Sequence, residues 1–311
     1  MKKLCKTGKR KENMNQKNNP YSNNAMFKSW NVIYPIFIYF VVTNLAMSLF
    51  AMLASVLGAD YQKQYMALQT AAVAVTIPFI ARYYQRDRKE PTVFWEHMGM
   101  EFAGKTHAQK IINGVLMFLA GAVIGMALNN VLALTTLEEI SEGYQEATEN
   151  FFAGGIFFEL LGACFLTPFL EELLYRGVVY GRLCDLMILN NEKKTEEGTK
   201  REKRSRFTAM LFSALLFGVL HMNLVQFVYA GVLGILLAWF MEQSGHFYGA
   251  LLAHMGANLT SVLRVETRLF GWMEQSRGVF AGATAGLGLA GIVLIGAIWL
   301  QNRKGQDVTD G

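Results

Sequence analysis

Long apolar blocks separated by short polar connections recur from about residue 30 to residue 300 of this 311-residue chain. Several exceed the ~18 to 20 residues that a helix needs to cross the hydrocarbon core of a bilayer. That pattern leaves one fold class: an all-α, polytopic membrane helix bundle, packed side by side as one unit. Only 17% of the residues are charged and 52% are hydrophobic, against a charged share of ~25% in soluble domains. Eight spans are expected, near 30–57, 65–84, 111–134, 153–187, 207–223, 225–241, 246–264 and 279–300. The sixth follows the fifth through Met222-Asn223-Leu224 alone, so those two are the pair most open to forming a re-entrant hairpin.

The net charge of +5 does not point to nucleic acid, because the basic residues collect between apolar blocks. Eight Lys and Arg lie in 1–28, six in 82–110 and seven in 185–206, whereas 58–64 holds only Lys63 and 138–150 holds none. By the positive-inside rule both termini and the basic connections are cytoplasmic in a multi-pass cell-membrane protein. The segment 138–150, with Glu138, Glu139, Glu142, Glu146 and Glu149, is external. The connection 264–278 dissents, carrying Arg264, Arg268 and Arg277 on the external side. By composition 1–28 is a basic disordered tail and 190–206 a solvated loop, a linker or a lipid head-group contact. The apolar run after the tail lacks a small-x-small cleavage site and reads as an uncleaved first span. Cys5, Cys164 and Cys184 form neither a disulfide framework nor Cys-x-x-Cys metal spacing.

At membrane depth few ionisable or strongly polar groups remain: Glu159, Glu171, Glu172, Arg176, His221, His254 and Asn258, with Asn44, Asn129 and Asn130 in other spans. Each ionisable group there carries an insertion cost of ~2.5–3.5 kcal/mol, so each is a functional-site hypothesis. In F-L-E-E-L-L-Y-R-G, Glu172 and Arg176 are four apart and share a helix face, whereas Glu171 is turned ~100° away. Glu172–Arg176 thus reads as a brace that neutralises itself, leaving Glu171 to face the bundle interior. Pro168, upstream, removes a backbone donor and is expected to bend the helix. Glu171 and His221 each lie 14 residues, ~21 Å, from the cytoplasmic ends of their spans, and Asn258 ~18–20 Å from its own. His254 is one turn below Asn258. A carboxylate in a low-dielectric pocket suits a general base, and an imidazole beside it can help orient a water. A second imidazole and a carboxamide one turn apart can stabilise an oxyanion. Gly256 and Ala257 leave close helix packing open, and Phe217 is placed to pack beside His221. A lone histidine in an apolar helix is more often a packing residue, so the joint occurrence carries the reading. Glu159 is expected to be interfacial; His97, His107 and His246 receive no role.

E-E-L-L-Y-R at 171–176, F-G-V-L-H at 217–221 and H-M-G-A-N at 254–258 fall in this order on successive spans. Together they resemble the three motifs of the CAAX prenyl protease-like (CPBP) intramembrane peptidases, bacterial branch, over roughly 155–262. The resemblance implies a CAAX-protease-like core at 151–265, with N-terminal spans at 29–150 and a last span and cytoplasmic tail at 266–311. It implies an endopeptidase acting on a membrane-associated peptide or protein in or near the bilayer. Glu171 matches the family's catalytic glutamate, His221 its water-activating histidine, and His254 and Asn258 its oxyanion pair. Glu172 and Arg176 match supporting positions. The family is often described as metalloproteases; Glu171, His221 and His254 would make a three-ligand zinc set, although H-E-x-x-H is absent. A metal-free site is favoured, because Asn258 already supplies an oxyanion donor that zinc would replace. The competing readings are a proton-coupled transporter, for which the expected inverted repeats are not evident, and a non-catalytic bacteriocin-immunity or regulatory protein.

Overall fold

A computed structural model describes residues 25–90, 92–187 and 196–307 of the chain. The main helices among the described residues are α1 Ala25–Val56, α2 Tyr61–Asp87, α3 Val93–Ala103, α4 His107–Ala133, α5 Glu142–Phe151, α6 Ile156–Met187, α7 Glu196–Val219, α8 Leu224–Ser244, α9 Tyr248–Glu266 and α10 Arg277–Asp307. No strand occurs among the described residues, so the expected all-α bundle is found. By length and composition α1, α2, α4, α8 and α10 can each cross a membrane. The bent pair α5–α6, with 102° between its halves, makes up to six. The expected eight would further need α7, whose first turns are charged, and α9, which carries His254, Asn258 and Arg264.

Local chemistry explains several helix starts. Asp60 caps α2 by accepting from the Gln62 and Lys63 amides. Thr106 and Gln109 form a reciprocal capping box on α4, which satisfies donors that a helix start leaves orphaned. At the basic end Asp87 of α2 takes Arg182 of α6 in a paired contact, Nε to Oδ2 at 2.6 Å and Nη2 to Oδ1 at 3.1 Å. Small residues let α9 lie against α4: a Cβ on Gly121 would overlap the Ala253 backbone, and one on Gly256 the Phe118 carbonyl. Such close approach is the usual way helices associate where lipid offers no hydrophobic drive. The packing role expected of Gly256 and Ala257 is therefore observed.

Four expectations need correction or limits. Residues 1–24 of the basic tail lie outside the described residues, and Ala25 to Lys28 already belong to α1. Within 190–206, residues from Glu196 onward are helical, because Glu, Lys and Arg are good helix formers even where their charge resembles a loop; 190–195 lie outside the described residues. Glu159, expected to be interfacial, is closed from solvent inside the protein, and neither carboxylate oxygen has a hydrogen-bond partner among the described residues. The segment 138–150, expected to be external, is not a plain connection but contains α5, acidic on one face and apolar on the other. Arg264, the dissenting cation, binds Glu274 at 3.0 Å and Asn130 at 2.7 Å, so its charge is balanced locally.

Candidate active site

The helix that bears the glutamates does not simply bend at Pro168. It runs through two widened π segments, Glu159–Leu166 and Tyr175–Tyr180, on either side of Thr167–Leu174. The sharp 102° turn lies earlier, between Phe151 and Ile156. In the first π segment the Thr167 amide donates to Gly162. In that register the next donor, to Ala163, would be residue 168, a proline with no N–H. The freed Ala163 carbonyl instead accepts from Asn258 Nδ2 at 2.8 Å. A proline in α6 thus fixes the amide of α9.

Three further contacts set the remaining groups. Glu172 and Arg176 are fully buried and pair at 2.9 Å, as their spacing predicts. The same Glu172 oxygen also meets His254 Nδ1 at 2.8 Å, so this carboxylate holds both an arginine and an imidazole from another helix. Arg176 donates through its other amino group to the Gly234 carbonyl at 3.0 Å. Since a carboxylate only accepts, His254 carries its proton on Nδ1 and turns Nε2 toward Glu171 Oε2, 3.8 Å away.

His221 is not inside a helix, as expected, but in the turn that joins α7 to α8. Its Nδ1 meets the Phe217 carbonyl at 2.8 Å, so Nδ1 bears the proton and Nε2 is left as an acceptor. Met222 takes a left-handed φ of 60° to close this turn. Asn223 then caps α8 through the Gln226 amide and donates to the His221 carbonyl at 3.1 Å. The Phe217 ring stands edge-on to both imidazoles, at 5.0 Å from His221 and 5.8 Å from His254, with the Arg176 guanidinium 4.6 Å from its centre. The adjacency of Phe217 and His221 read from the sequence is therefore present, and Phe217 spaces the second imidazole as well.

Glu171, Phe217, His221, His254 and Asn258 all line one cavity of ≈ 260 Å³. Glu172 and Arg176 stand behind it. Gln69 of α2, Phe151 of α5, and Gln226 and Tyr229 of α8 also line it. They belong to no charged motif; only the tertiary fold brings them here. A second cavity, ≈ 290 Å³, shares Ala147, Phe151, Gln226, Tyr229 and Asn258 with the first and continues toward Glu138 and Arg264. Among the described residues no three His, Cys, Asp or Glu side chains are disposed to hold a metal ion. Glu171, His221 and His254, the zinc set expected if a metal is bound, are not gathered at ligand spacing as these side chains stand.

Carboxylates, imidazoles and an amide gathered in a cavity inside an apolar helix bundle define a membrane protein with a candidate hydrolytic site. Residues 153–260 match the family model described as Rce1-like, type II CAAX prenyl endopeptidase. The matched segment, roughly a third of the chain, is similar to that family. No curated protein and no solved structure matches the chain.

Proposed function

We propose that the protein is an intramembrane endopeptidase that hydrolyses a peptide bond with a water activated by Glu171. The observation that carries this reading is the convergence of Glu171, His221, His254 and Asn258, from two helices and one turn, on a single cavity. Glu171 takes the proton from the water as general base. His221 Nε2, left free by the contact of Nδ1 with Phe217, helps orient that water. Glu171 passes the water's proton to His254 Nε2, 3.8 Å away, and the resulting imidazolium, held by Glu172 through Nδ1, delivers it to the leaving amine as the C–N bond breaks. One N–H of Asn258 is committed to Ala163, and its second N–H donates to the developing oxyanion.

The substrate is a membrane-associated peptide segment that reaches the catalytic groups through the second cavity. That cavity opens at the end of the bundle bearing Glu138 and α5, away from the basic ends of the helices. On the charge asymmetry this is the external side, so α5 forms the roof under which the peptide passes. The test uses purified protein in vesicles with a library of apolar peptides. Wild type should cleave a subset of the peptides, and Glu171→Gln, His221→Ala and Asn258→Ala should each lower that cleavage by at least about a hundredfold, in the range seen for a lost base or oxyanion donor. Cleavage by the wild type should survive exhaustive chelation. Undiminished cleavage by Glu171→Gln, or loss on chelation with recovery on added zinc, would contradict the mechanism.

A further inference from the structure

At the basic end of the bundle, far from the catalytic cavity, a separate cavity of ≈ 580 Å³ lies between α3, α7, α8 and α10, with Tyr180 of α6 in its floor. The floor is a closed network. Tyr180 donates to Glu242 Oε1 at 2.5 Å, Arg206 donates to Glu242 Oε2, and Arg206 meets His97 Nε2 at 2.6 Å. Burial, with the Arg206 guanidinium adding to it, holds the His97 imidazole down at about 4. His97 is thus neutral and accepts from Arg206, and its 4.0 Å approach to Glu242 is no ion pair because Arg206 already occupies that carboxylate. Glu101, the other acid in the wall, is tied to Lys105 at 3.3 Å.

With both acids engaged, Lys203 and Arg303 give the cavity mouth its charge. Two indoles flank them: Trp239, and Trp299 with the Arg303 guanidinium 5.1 Å from its ring centre. The wall then runs out along Phe207, 56% exposed, and Trp299, 45% exposed, onto the apolar outer face of the bundle. Cations beside indoles at the end of membrane helices mark the head-group level of a bilayer, and basic pockets there bind anionic head groups. A free anion would gain nothing from the apolar exit. We propose that this cavity binds the phosphate head group of an anionic lipid, with its acyl chains along Phe207 and Trp299. The proposal is independent of the peptidase reading.

The test uses the purified, delipidated full chain in mixed micelles, reading melting temperature and co-purifying lipid by native mass spectrometry. Phosphatidylglycerol should raise the melting temperature by several degrees and stay bound, and phosphatidylcholine should do neither. The double variant Lys203→Gln with Arg303→Gln, whose side chains lie at the mouth, should keep the lipid-free melting temperature but need about tenfold more phosphatidylglycerol for the same shift. Lys63→Gln, at the other end, should bind as wild type. Inorganic phosphate and glycerol 3-phosphate form the third arm. If either reproduces the full shift, the site takes free phosphate and the lipid assignment fails. Equal binding of the two lipids by the unaltered protein, or undiminished phosphatidylglycerol binding by the double variant, also overturns the proposal; the first comparison decides whatever happens to the variant's folding.

Discussion

Glu171 and Glu172 are neighbours in sequence, yet their surroundings assign them different work. Glu172 meets Arg176 at 2.9 Å and His254 at 2.8 Å on one oxygen and is fully closed from solvent. Glu171 faces the cavity with 14% of its side chain exposed. Glu171→Gln should therefore leave the fold intact and abolish turnover. Glu172→Gln should cost both, since breaking a buried pair costs ~3–5 kcal/mol and would also release the His254 tautomer. A thermal melt beside an activity assay separates the two, and equal melts for the two variants would contradict the division. The i,i+4 spacing made the Glu172–Arg176 pair legible in the sequence. The Glu172–His254 contact spans 82 positions and no local period announces it. His97 makes a separate prediction. Its value near 4 in the fold lies below its ordinary 6.5, through burial first and then Arg206. Above about 6.5 the group is neutral folded or unfolded. As pH falls from 6.5 toward 4 the unfolded chain takes a proton that the fold refuses, so stability is lost across that window. His97→Gln should flatten the fall in melting temperature from pH 6.5 to 4; an unchanged slope would count against it.

At the scale of elements, the close approach of α4 and α9 sets the depth of His254 and Asn258. Gly256→Val would drive a branched side chain into the Phe118 carbonyl. Overpacking of this kind costs ~1–3 kcal/mol, so the melting temperature should fall and activity with it, whereas Gly286→Ala on α10, whose Cβ meets nothing, should be neutral. Helix existence was readable from apolar blocks, and the three motifs landed on α6, the α7–α8 turn and α9. Three features were not readable. Pro168 was expected to bend the helix, but the π register absorbs it and frees the Ala163 carbonyl for Asn258. The charged start of α7 resembled a loop because composition is blind to the helical propensity of Lys, Glu and Arg. The inner face of α5 was hidden by its glutamates, although Ala147 and Phe151 reach the cavity. Ala147→Trp should fill the roof and block cleavage without lowering the melting temperature; full activity would remove α5 from the substrate path.

For the molecule as a whole, the helices place the candidate catalytic cavity toward one end of the bundle and the basic cavity at the other. On the charge asymmetry the second is expected to face the cytoplasm. Single cysteines placed in a Cys-free background at 146 and at 203 should therefore label only from outside and only from inside, respectively. The reverse would invert the molecule and the direction of substrate entry. The central claim is that this bundle cuts peptides with Glu171, and its most direct measurement is a comparison of membrane peptides from cells making wild-type protein and cells making equal amounts of Glu171→Gln. With wild type, a set of new peptide ends should arise within or beside apolar segments, and these ends should be missing with the variant while their uncut parents accumulate. Identical peptide ends in the two membranes, with both proteins folded and present, would contradict the account.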